Sequence, residues 1–244
     1  MSGEIPLFEI NPGLGRNALA EEFARTGRVQ IRDLLSAPAA ETIHRVLSRE
    51  TPWGLAWHAG DDGPNSLRRH ELATRQAELQ AITGKIVTAM QGRDYAFAYA
   101  QYPILTAYQE NWGEHPALHL LMEHINAEPL MSLVREVTAM PALIKADAQA
   151  TLYGPNHFLA THDDSHVEEG WQVAYVMHFC AEEWRPDWGG YLMFYDDEGD
   201  AIGGFKPRFN ALNLFRVPQR HNVTYVPSFA PVARFAITGW FRDR

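Results

Sequence analysis

The chain has 244 residues, of which 46% are hydrophobic and 21% charged, a composition typical of a globular protein. A formal net charge of −9 argues against nucleic acid or an anionic membrane as the main partner. Cys180 is the only cysteine, which excludes an internal disulfide, and no apolar run is long enough to span a membrane. The first residues lack a signal-peptide pattern, so we expect a cytoplasmic protein, and nothing in the sequence indicates an oligomeric state.

The first half of the chain predicts helices separated by two strands. Alternating polarity over 28–32 is typical of an edge strand, and Ser36 can cap a helix that runs to about residue 49. The further predicted elements are a helix over 70–91, a strand over 94–102 and helices over 116–126 and 129–139.

Two turn-rich stretches of this half carry aromatic residues. We interpret 51–69 as a loop with Trp53 and Trp57, and a second loop passes through Tyr108 and Trp112. These side chains either pack against the helices or form a lid that closes over a substrate.

The second half predicts short strands separated by turn signals. They lie over 145–153, 158–164, 171–179, 190–195, 201–206, 211–217, 221–226 and 233–241. Eight short strands indicate a jelly roll, and the helices of the first half are expected to cover one of its sheets. We predict one domain over 1–244, mainly β with supporting α-helices, in which 1–144 supplies support and lid loops and 145–244 forms the core.

The motif His162-Asp163-Asp164 suggests half of a metal site. On an extended strand His162 and Asp164 leave the same face, and an imidazole and a carboxylate can chelate one ion. Roughly one or two such pairs are expected by chance in a chain of this composition, so the downstream His221 is needed as a third ligand. Asp163 and His166 are competing ligands, with Asp163 expected on the opposite face of the strand.

A buried cation is predicted in the last strand. Arg234 and Thr238 share one face of Arg234–Phe241, and an arginine inside a barrel needs an anion, most naturally a carboxylate bound by both guanidinium arms. Thr238 can add a hydroxyl donor. Tyr153 lies on the strand that precedes the metal strand, and Gly189-Gly190 opens another strand where the backbone approaches a neighbour closely.

These motifs together resemble the 2-oxoglutarate/Fe(II) dioxygenases, in their prolyl 4-hydroxylase-like branch. The resemblance covers about 145–244 and rests on His162-x-Asp164, Trp188–Leu192, His221 and Arg234–Phe241 in that order. It implies a double-stranded β-helix that binds Fe(II) and the cosubstrate 2-oxoglutarate, with ascorbate as a candidate accessory reductant. His162, Asp164 and His221 would bind iron, Arg234 the distal carboxylate of 2-oxoglutarate, and Tyr153 would line that pocket.

The resemblance has one departure in the cosubstrate pocket. Where the family often has a tyrosine that contacts the 2-oxoglutarate carboxylate, this chain has His178. His178 is therefore either a cosubstrate contact or a histidine of the core.

The function that the resemblance implies is hydroxylation of an unactivated C–H bond, with O2 as the second cosubstrate. The substrate is expected to be a prolyl residue of a peptide or protein, or else a free amino acid or small metabolite. Relatives that halogenate have a small residue in place of the carboxylate, so Asp164 favours hydroxylation. Two rival interpretations are a non-catalytic jelly roll that binds a carboxylated ligand and a cupin-type enzyme, although the His-x-His pair typical of cupins is absent.

Overall fold

The computed structural model describes residues 7–113, 115–165, 167–180 and 183–244. Its helices are α1 (Arg16–Thr26), α2 (Ala37–Arg45), α3 (Arg69–Leu72), α4 (Gln76–Gly92), α5 (Ile104–Gln109), α6 (Pro116–Ile125) and α7 (Glu128–Thr138). Within these residues, none of the helices combines the length and the apolar character that crossing a membrane requires.

The strands fall mainly in the second half of the chain. They are β1 (Arg28–Arg32), β2 (Gly54–Ala59), β3 (Asp62–Leu67), β4 (Ala96–Tyr102), β5 (Lys145–Ala146), β6 (Gln149–Tyr153), β7 (Phe158–His162), β8 (Trp171–Phe179), β9 (Leu192–Tyr195), β10 (Ala201–Phe205), β11 (Phe209–Arg216), β12 (His221–Val223) and β13 (Arg234–Arg242).

Hydrogen bonding joins these strands into one nearly closed barrel. The strand order is β1-β11-β8-β13-β6-β4-β7-β12-β9-β10, with β2 paired to β4 and to β3, and β5 paired to β13. The predicted jelly-roll fold is therefore confirmed. β4, from the first half of the chain, pairs with both β6 and β7 and so lies between them in the strand order.

Strand alternation divides the side chains of β8 between two environments. Val173, Tyr175, Met177 and Phe179 pack in one hydrophobic cluster with side chains of α2, α6 and α7. The intervening Ala174 and Val176 belong to a cluster inside the barrel, together with Ala236 of β13. Because successive side chains of a strand point to opposite faces, the helices cover one side of this sheet and leave the other to the barrel interior.

In the first half of the chain, the predicted helix over 70–91 divides into α3 and α4, and three other segments differ from their prediction. The predicted loop 51–69 contains the hairpin β2–β3, which is stabilised as a sheet extension because β2 pairs with β4 over its whole length. The predicted loop through Tyr108 contains α5. α1 was not predicted, and Phe23 is its only fully buried residue, so its sequence carries a weak apolar stripe.

The predicted strand over 145–153 is interrupted at Asp147. Its buried carboxylate accepts a hydrogen bond from the backbone N–H of Trp240, at 2.8 Å, and forms an ion pair with Arg242. Because the Asp147 carboxylate accepts this hydrogen bond in place of a backbone carbonyl, the backbone pairing with β13 is interrupted. The predicted strand therefore divides into β5 and β6.

Candidate functional site

The three predicted metal ligands lie together at one end of β7 and β12. These strands are antiparallel neighbours, and their register places His162 directly opposite His221, with ring centroids 4.1 Å apart. β7 ends at His162, and Asp164 has a left-handed backbone with φ of 59°. The carboxylate of Asp164 thus reaches the histidines from a turn. The extended backbone predicted for this residue is therefore wrong.

The ligand atoms face one another. The Nε2 atom of His162 lies 3.2 Å from Oδ1 of Asp164, and the Nε2 atom of His221 lies 3.5 Å from Oδ2. One ligand atom from each of the three residues lies within 4.8 Å of the others. Two imidazoles and one carboxylate are the donor set that non-haem Fe(II) oxygenases use.

Backbone carbonyls orient both imidazole rings. The Nδ1 atom of His162 is 2.9 Å from the carbonyl oxygen of Ala160, and the Nδ1 atom of His221 is 2.7 Å from that of Gln219. A carbonyl only accepts, so each Nδ1 carries a proton, and the Nε2 lone pair is available to a metal when the ring is neutral.

Burial and mutual contact decide the protonation of the triad. Burial and the neighbouring His162 lower the pKa of His221 to about 4. Burial raises the pKa of Asp164, but the hydrogen bond from His162 and the charges of both histidines outweigh it, so the net shift is downward. Burial lowers the pKa of His162, and the hydrogen bond and charge of Asp164 reverse that shift to a net increase. A neutral His221 beside an ionised Asp164 is the state that metal ligation requires.

Trp240 holds the carboxylate of Asp164. Its indole Nε1–H donates to Oδ2 at 2.9 Å, and its ring stacks on Trp171 with centroids 3.9 Å apart. Trp240 lies on the same face of β13 as Arg234 and Thr238, and no role is predicted for it from the sequence. Its alternation with Arg234 and Thr238 was the signal that could have identified it.

Asp163, the competing carboxylate, takes no part in the cluster. Asp163 lines the same cavity, but its Oδ1 accepts the backbone N–H of Ser165 at 3.1 Å, as in an Asx turn. His166 lies outside the described residues.

A cavity of about 500 Å³ opens beside the triad. The predicted cosubstrate residues Tyr153, Thr238 and Arg234 line it together with the three metal ligands. The remaining wall is rich in aromatic side chains, among them Tyr95, Phe97, Tyr99, Trp171, Phe215 and Trp240.

Arg234 is an unpartnered cation inside the barrel. Its side chain is among the largest that are fully buried, and none of its three guanidinium nitrogens has a hydrogen-bond partner among the described residues. Tyr153, its register partner on β6, places its ring 4.8 Å from the guanidinium carbon. Burial lowers the pKa of Arg234. A charged guanidinium that is buried away from water needs an anion to offset the cost of its burial, and a carboxylate matches its forked geometry.

The predicted close backbone approach at Gly189-Gly190 is confirmed. A Cβ on Gly189 would lie 1.9 Å from the carbonyl oxygen of Tyr225, and both glycines have positive φ. A Cβ on Gly190 would lie 3.5 Å from Cδ of Arg234 and 3.1 Å from Trp184. Glycine at this position leaves space beside the arginine stem.

His178 lies deeper than the cavity wall. It is fully buried on the interior face of β8, and it is absent from the side chains that line the cavity. Its Nε2 atom contacts the side-chain amide of Asn213 at 2.9 Å, and its Nδ1 atom has no partner among the described residues. Burial and the charge of Arg234 hold the pKa of His178 well below its ordinary value.

The four aromatic side chains considered for a lid do not line the cavity. Trp53 donates its indole N–H to the carbonyl of Leu47, and Trp57 packs in the cluster beneath α4. Both side chains therefore pack against the protein, as the first of the two interpretations of these loops predicted. Trp112 lies under the guanidinium of Arg68, whose carbon is 3.4 Å from the ring centroid, and Tyr108 donates to Glu123.

The fold and the triad define a double-stranded β-helix protein with a candidate His–Asp–His metal centre. Residues 148–242 match the family model described as the 2OG-Fe(II) oxygenase superfamily, which confirms the resemblance inferred from the sequence. No curated protein matches the chain.

Solved structures share the fold at low sequence identity. A prolyl-4-hydroxylase from Pseudomonas putida has a TM-score of 0.54 and 19% identity, covering 97% of this chain and 98% of that one. A 2OG-Fe(II) oxygenase family oxidoreductase from Burkholderia pseudomallei has a TM-score of 0.59, 11% identity and coverage of 97% and 94%. A prolyl hydroxylase from Trichoplax adhaerens, in complex with a hypoxia inducible factor peptide fragment, has a TM-score of 0.58, 16% identity and coverage of 93% and 89%.

The metal assignment predicts different outcomes for two adjacent aspartates. Asp164→Ala should lower the affinity for Fe(II), measured anaerobically, by more than the roughly 10- to 100-fold that loss of an outer contact usually costs. Asp163→Ala, the matched control, should bind the ion nearly as the parent protein does. Equal affinity of the parent and Asp164→Ala would contradict the assignment.

Trp240→Phe tests the outer contact alone. Phenylalanine keeps an aromatic ring against Trp171 but has no N–H for Asp164, so Fe(II) affinity should fall by about 10- to 100-fold. Thermal unfolding of the metal-free variant reports any packing loss separately. A metal titration identical to that of the parent would show that the indole hydrogen bond does not position the carboxylate.

Proposed function

We propose that the chain is an Fe(II)- and 2-oxoglutarate-dependent dioxygenase that hydroxylates an unactivated C–H bond. His162, Asp164 and His221 would hold the iron, and three protein ligands leave coordination positions for the cosubstrates. When bound, iron and 2-oxoglutarate supply the oxidising chemistry with O2, releasing succinate and CO2. Asp164 fills the position that halogenating relatives leave small, which favours hydroxylation.

The observation that carries this proposal is the buried, unpartnered Arg234 in the same cavity as the triad. A metal triad alone suits many reactions, and a buried arginine alone suits many ligands. A dicarboxylate that reaches both sites explains why one cavity contains both. Arg234 would bind the distal carboxylate, and the family match over 148–242 supports the same assignment.

Two further side chains of the cavity would complete the cosubstrate pocket. The ring of Tyr153 stacks on Tyr99 with centroids 5.0 Å apart and faces the Arg234 guanidinium. It would thereby restrict where the carboxylate can lie. Thr238 lies four residues after Arg234 on the same face of β13. It lines the same cavity and would donate a hydrogen bond from its hydroxyl to the cosubstrate.

The charge of the cavity bears on the substrate. Among the described residues, Arg234 is the only lysine or arginine in the lining, and the acidic members are Asp163 and Asp164. Arg216 and Arg220, which flank the strand that begins at His221, are exposed and absent from the lining. Within the described lining of the cavity, a free amino acid would therefore find no cation for its own carboxylate once the cosubstrate has taken Arg234.

A second groove adjoins the cavity and favours an extended substrate. It has a volume of about 550 Å³ and shares Pro64, Phe97, Tyr99 and Gln149 with the cavity. It continues past β2 and β3 to Arg68 and Trp112. An uncharged ring of a peptide, such as a prolyl ring, can stack on the aromatic wall while the flanking residues follow the groove. We therefore place a prolyl residue of a peptide or protein ahead of a small metabolite as substrate.

Arg234→Ala should abolish tight 2-oxoglutarate binding. Breaking a buried charge pair costs about 3–5 kcal/mol, or roughly two to four orders of magnitude in affinity. Arg234→Lys should also weaken binding, because an ammonium lacks the forked geometry. The measurement is the visible charge-transfer band of Fe(II) with 2-oxoglutarate under anaerobic conditions. Its absence from the parent protein would favour a non-catalytic jelly roll or a cupin-type metal protein.

Mass spectrometry of a proline-containing peptide library tests the substrate. Incubation with enzyme, Fe(II), 2-oxoglutarate and O2 should add one oxygen to a prolyl residue. Succinate release that occurs only with a free metabolite, with every peptide unchanged, would support the small-molecule alternative.

A matched pair of arginine variants tests the groove once a peptide is found. Arg68→Ala removes a groove side chain and should raise the peptide KM while the 2-oxoglutarate KM stays constant. Arg75→Ala is the control, because Arg75 pairs with Glu71 and Glu78 and does not line the groove. Equal effects of both variants would place the peptide elsewhere.

A further inference from the structure

The cavity and the adjoining groove meet at a pair of polar side chains. Four residues line both spaces, which are Pro64, Phe97, Tyr99 and Gln149. Tyr99 and Gln149 are the polar members of this set, so a peptide that runs from the triad into the groove passes beside them. Tyr99 lies on β4, outside the segment 148–242 that matches the family model, and the family match therefore assigns it no role.

Two neighbouring rings fix the orientation of Tyr99. Its ring stacks on that of Phe97, two residues earlier on the same strand, with centroids 5.3 Å apart. It also stacks on the ring of Tyr153 on β6, with centroids 5.0 Å apart. The side chain of Tyr99 is buried and already held, so it loses little further freedom when a ligand binds. Its hydroxyl is therefore preorganised for a contact.

A chain of hydrogen bonds leads from the groove to the Tyr99 hydroxyl. The Oγ–H of Ser66 on β3 donates to Oε1 of Gln101 at 3.2 Å. The Nε2–H of Gln101 donates in turn to Oε1 of Gln149 on β6. The Gln149 amide also forms a hydrogen bond with the Tyr99 hydroxyl. Because the oxygen of this amide faces Gln101, its N–H is the group that meets the Tyr99 oxygen.

The ionisation of Tyr99 agrees with this direction. Burial raises the pKa of Tyr99 to about 12, the hydrogen bond from Gln149 offsets part of that shift, and the charge of Asp164 adds to it. Donation to a phenolic oxygen favours the ionised form, so the lowering effect marks Gln149 as the donor. The hydroxyl thus accepts from the protein, stays protonated at neutral pH and has its own proton to donate.

We propose that the Tyr99 hydroxyl donates a hydrogen bond to a backbone carbonyl of the substrate, that of the reacting prolyl residue or of the residue before it, and that Gln149 positions this donor. The inference rests on the proposed function. A prolyl residue has no N–H, so the backbone around its ring presents carbonyl oxygens to the site. Any other residue in that place would bring an N–H, for which a hydroxyl that already accepts from Gln149 is a poor partner.

Sulfur substitution in the substrate tests the contact at a single atom. The probe is the peptide that gains oxygen in the library screen, prepared with sulfur in place of one carbonyl oxygen, in the prolyl residue or in the residue before it. Sulfur accepts hydrogen bonds weakly. The parent protein is loaded with 2-oxoglutarate and with Mn(II) in place of Fe(II), and peptide binding is measured by calorimetry. One of the two sulfur peptides should bind about 3- to 10-fold more weakly than the oxygen peptide, as expected for one neutral hydrogen bond.

Tyr99→Phe removes the hydroxyl and keeps the stacked ring. The variant should bind the oxygen peptide about 3- to 10-fold more weakly than the parent does, and it should no longer distinguish oxygen from sulfur. Tyr108→Phe is the matched control, because Tyr108 donates to Glu123 and lines neither the cavity nor the groove. A sulfur effect of equal size in Tyr99→Phe and the parent, or none in the parent, would overturn the contact.

Gln149→Glu tests the positioning role. A carboxylate accepts and does not donate, so it should draw the Tyr99 proton away from the substrate while still accepting from Gln101. The variant should therefore lose the sulfur effect as Tyr99→Phe does. Added negative charge alone would change the affinity for the oxygen and sulfur peptides equally. A full sulfur effect in Gln149→Glu would refute the positioning role.

Titration of 2-oxoglutarate separates this inference from the proposed function. Tyr99→Phe should bind 2-oxoglutarate as the parent does and should unfold at a similar temperature, because Arg234 and the stacked rings are retained. If no library peptide gains oxygen, the proposed substrate class fails and this inference fails with it. If the parent binds 2-oxoglutarate and the peptide, and the sulfur effect is equal in Tyr99→Phe, then the proposed function stands and only the role of Tyr99 is refuted.

Discussion

The buried guanidinium of Arg234, which has no anionic partner among the described residues, is the constraint that relates the parts of this structure. Arg234 is buried by the strands around it, and the surrounding groups are an aromatic ring, a neutral imidazole and glycine backbone. None of these neutralises a positive charge. The positive charge of Arg234 is therefore left for the carboxylate of a bound ligand to neutralise. It lines the same cavity as the two histidines and the carboxylate of the triad.

The register of β7 and β12 supplies the other half of the site. Opposed positions in an antiparallel pair bring His162 and His221 together without help from loops, and carbonyls two residues away orient their rings. Asp164 depends on a left-handed turn, and Trp240 on β13 reaches across to it. The metal centre thus depends on β7, β12 and β13, and the strand that carries Arg234 also restrains a metal ligand.

Sequence patterns predicted the barrel strands and the positions of the triad and Arg234, because alternation and spacing are local properties of the chain. They did not predict the hairpin β2–β3, whose strands depend on pairing with β4. Nor did they indicate the hydrogen bond of Gln101 to Gln149, since those residues meet only through the pairing of β4 with β6. The turn at Asp164 was missed for another reason: HDDSH is compatible with either backbone, and the extended form was the simpler assumption.

The position of β4 has a consequence for how the fold divides. The segment 148–242 that matches the family model contains β6 and β7, yet these strands are joined through β4 from the first half of the chain. Excision of that segment would leave two unpaired strand edges beside the metal ligands, open to solvent or to another chain. The matched segment is therefore not structurally self-sufficient, because its sheet is completed by β4, which lies outside that segment.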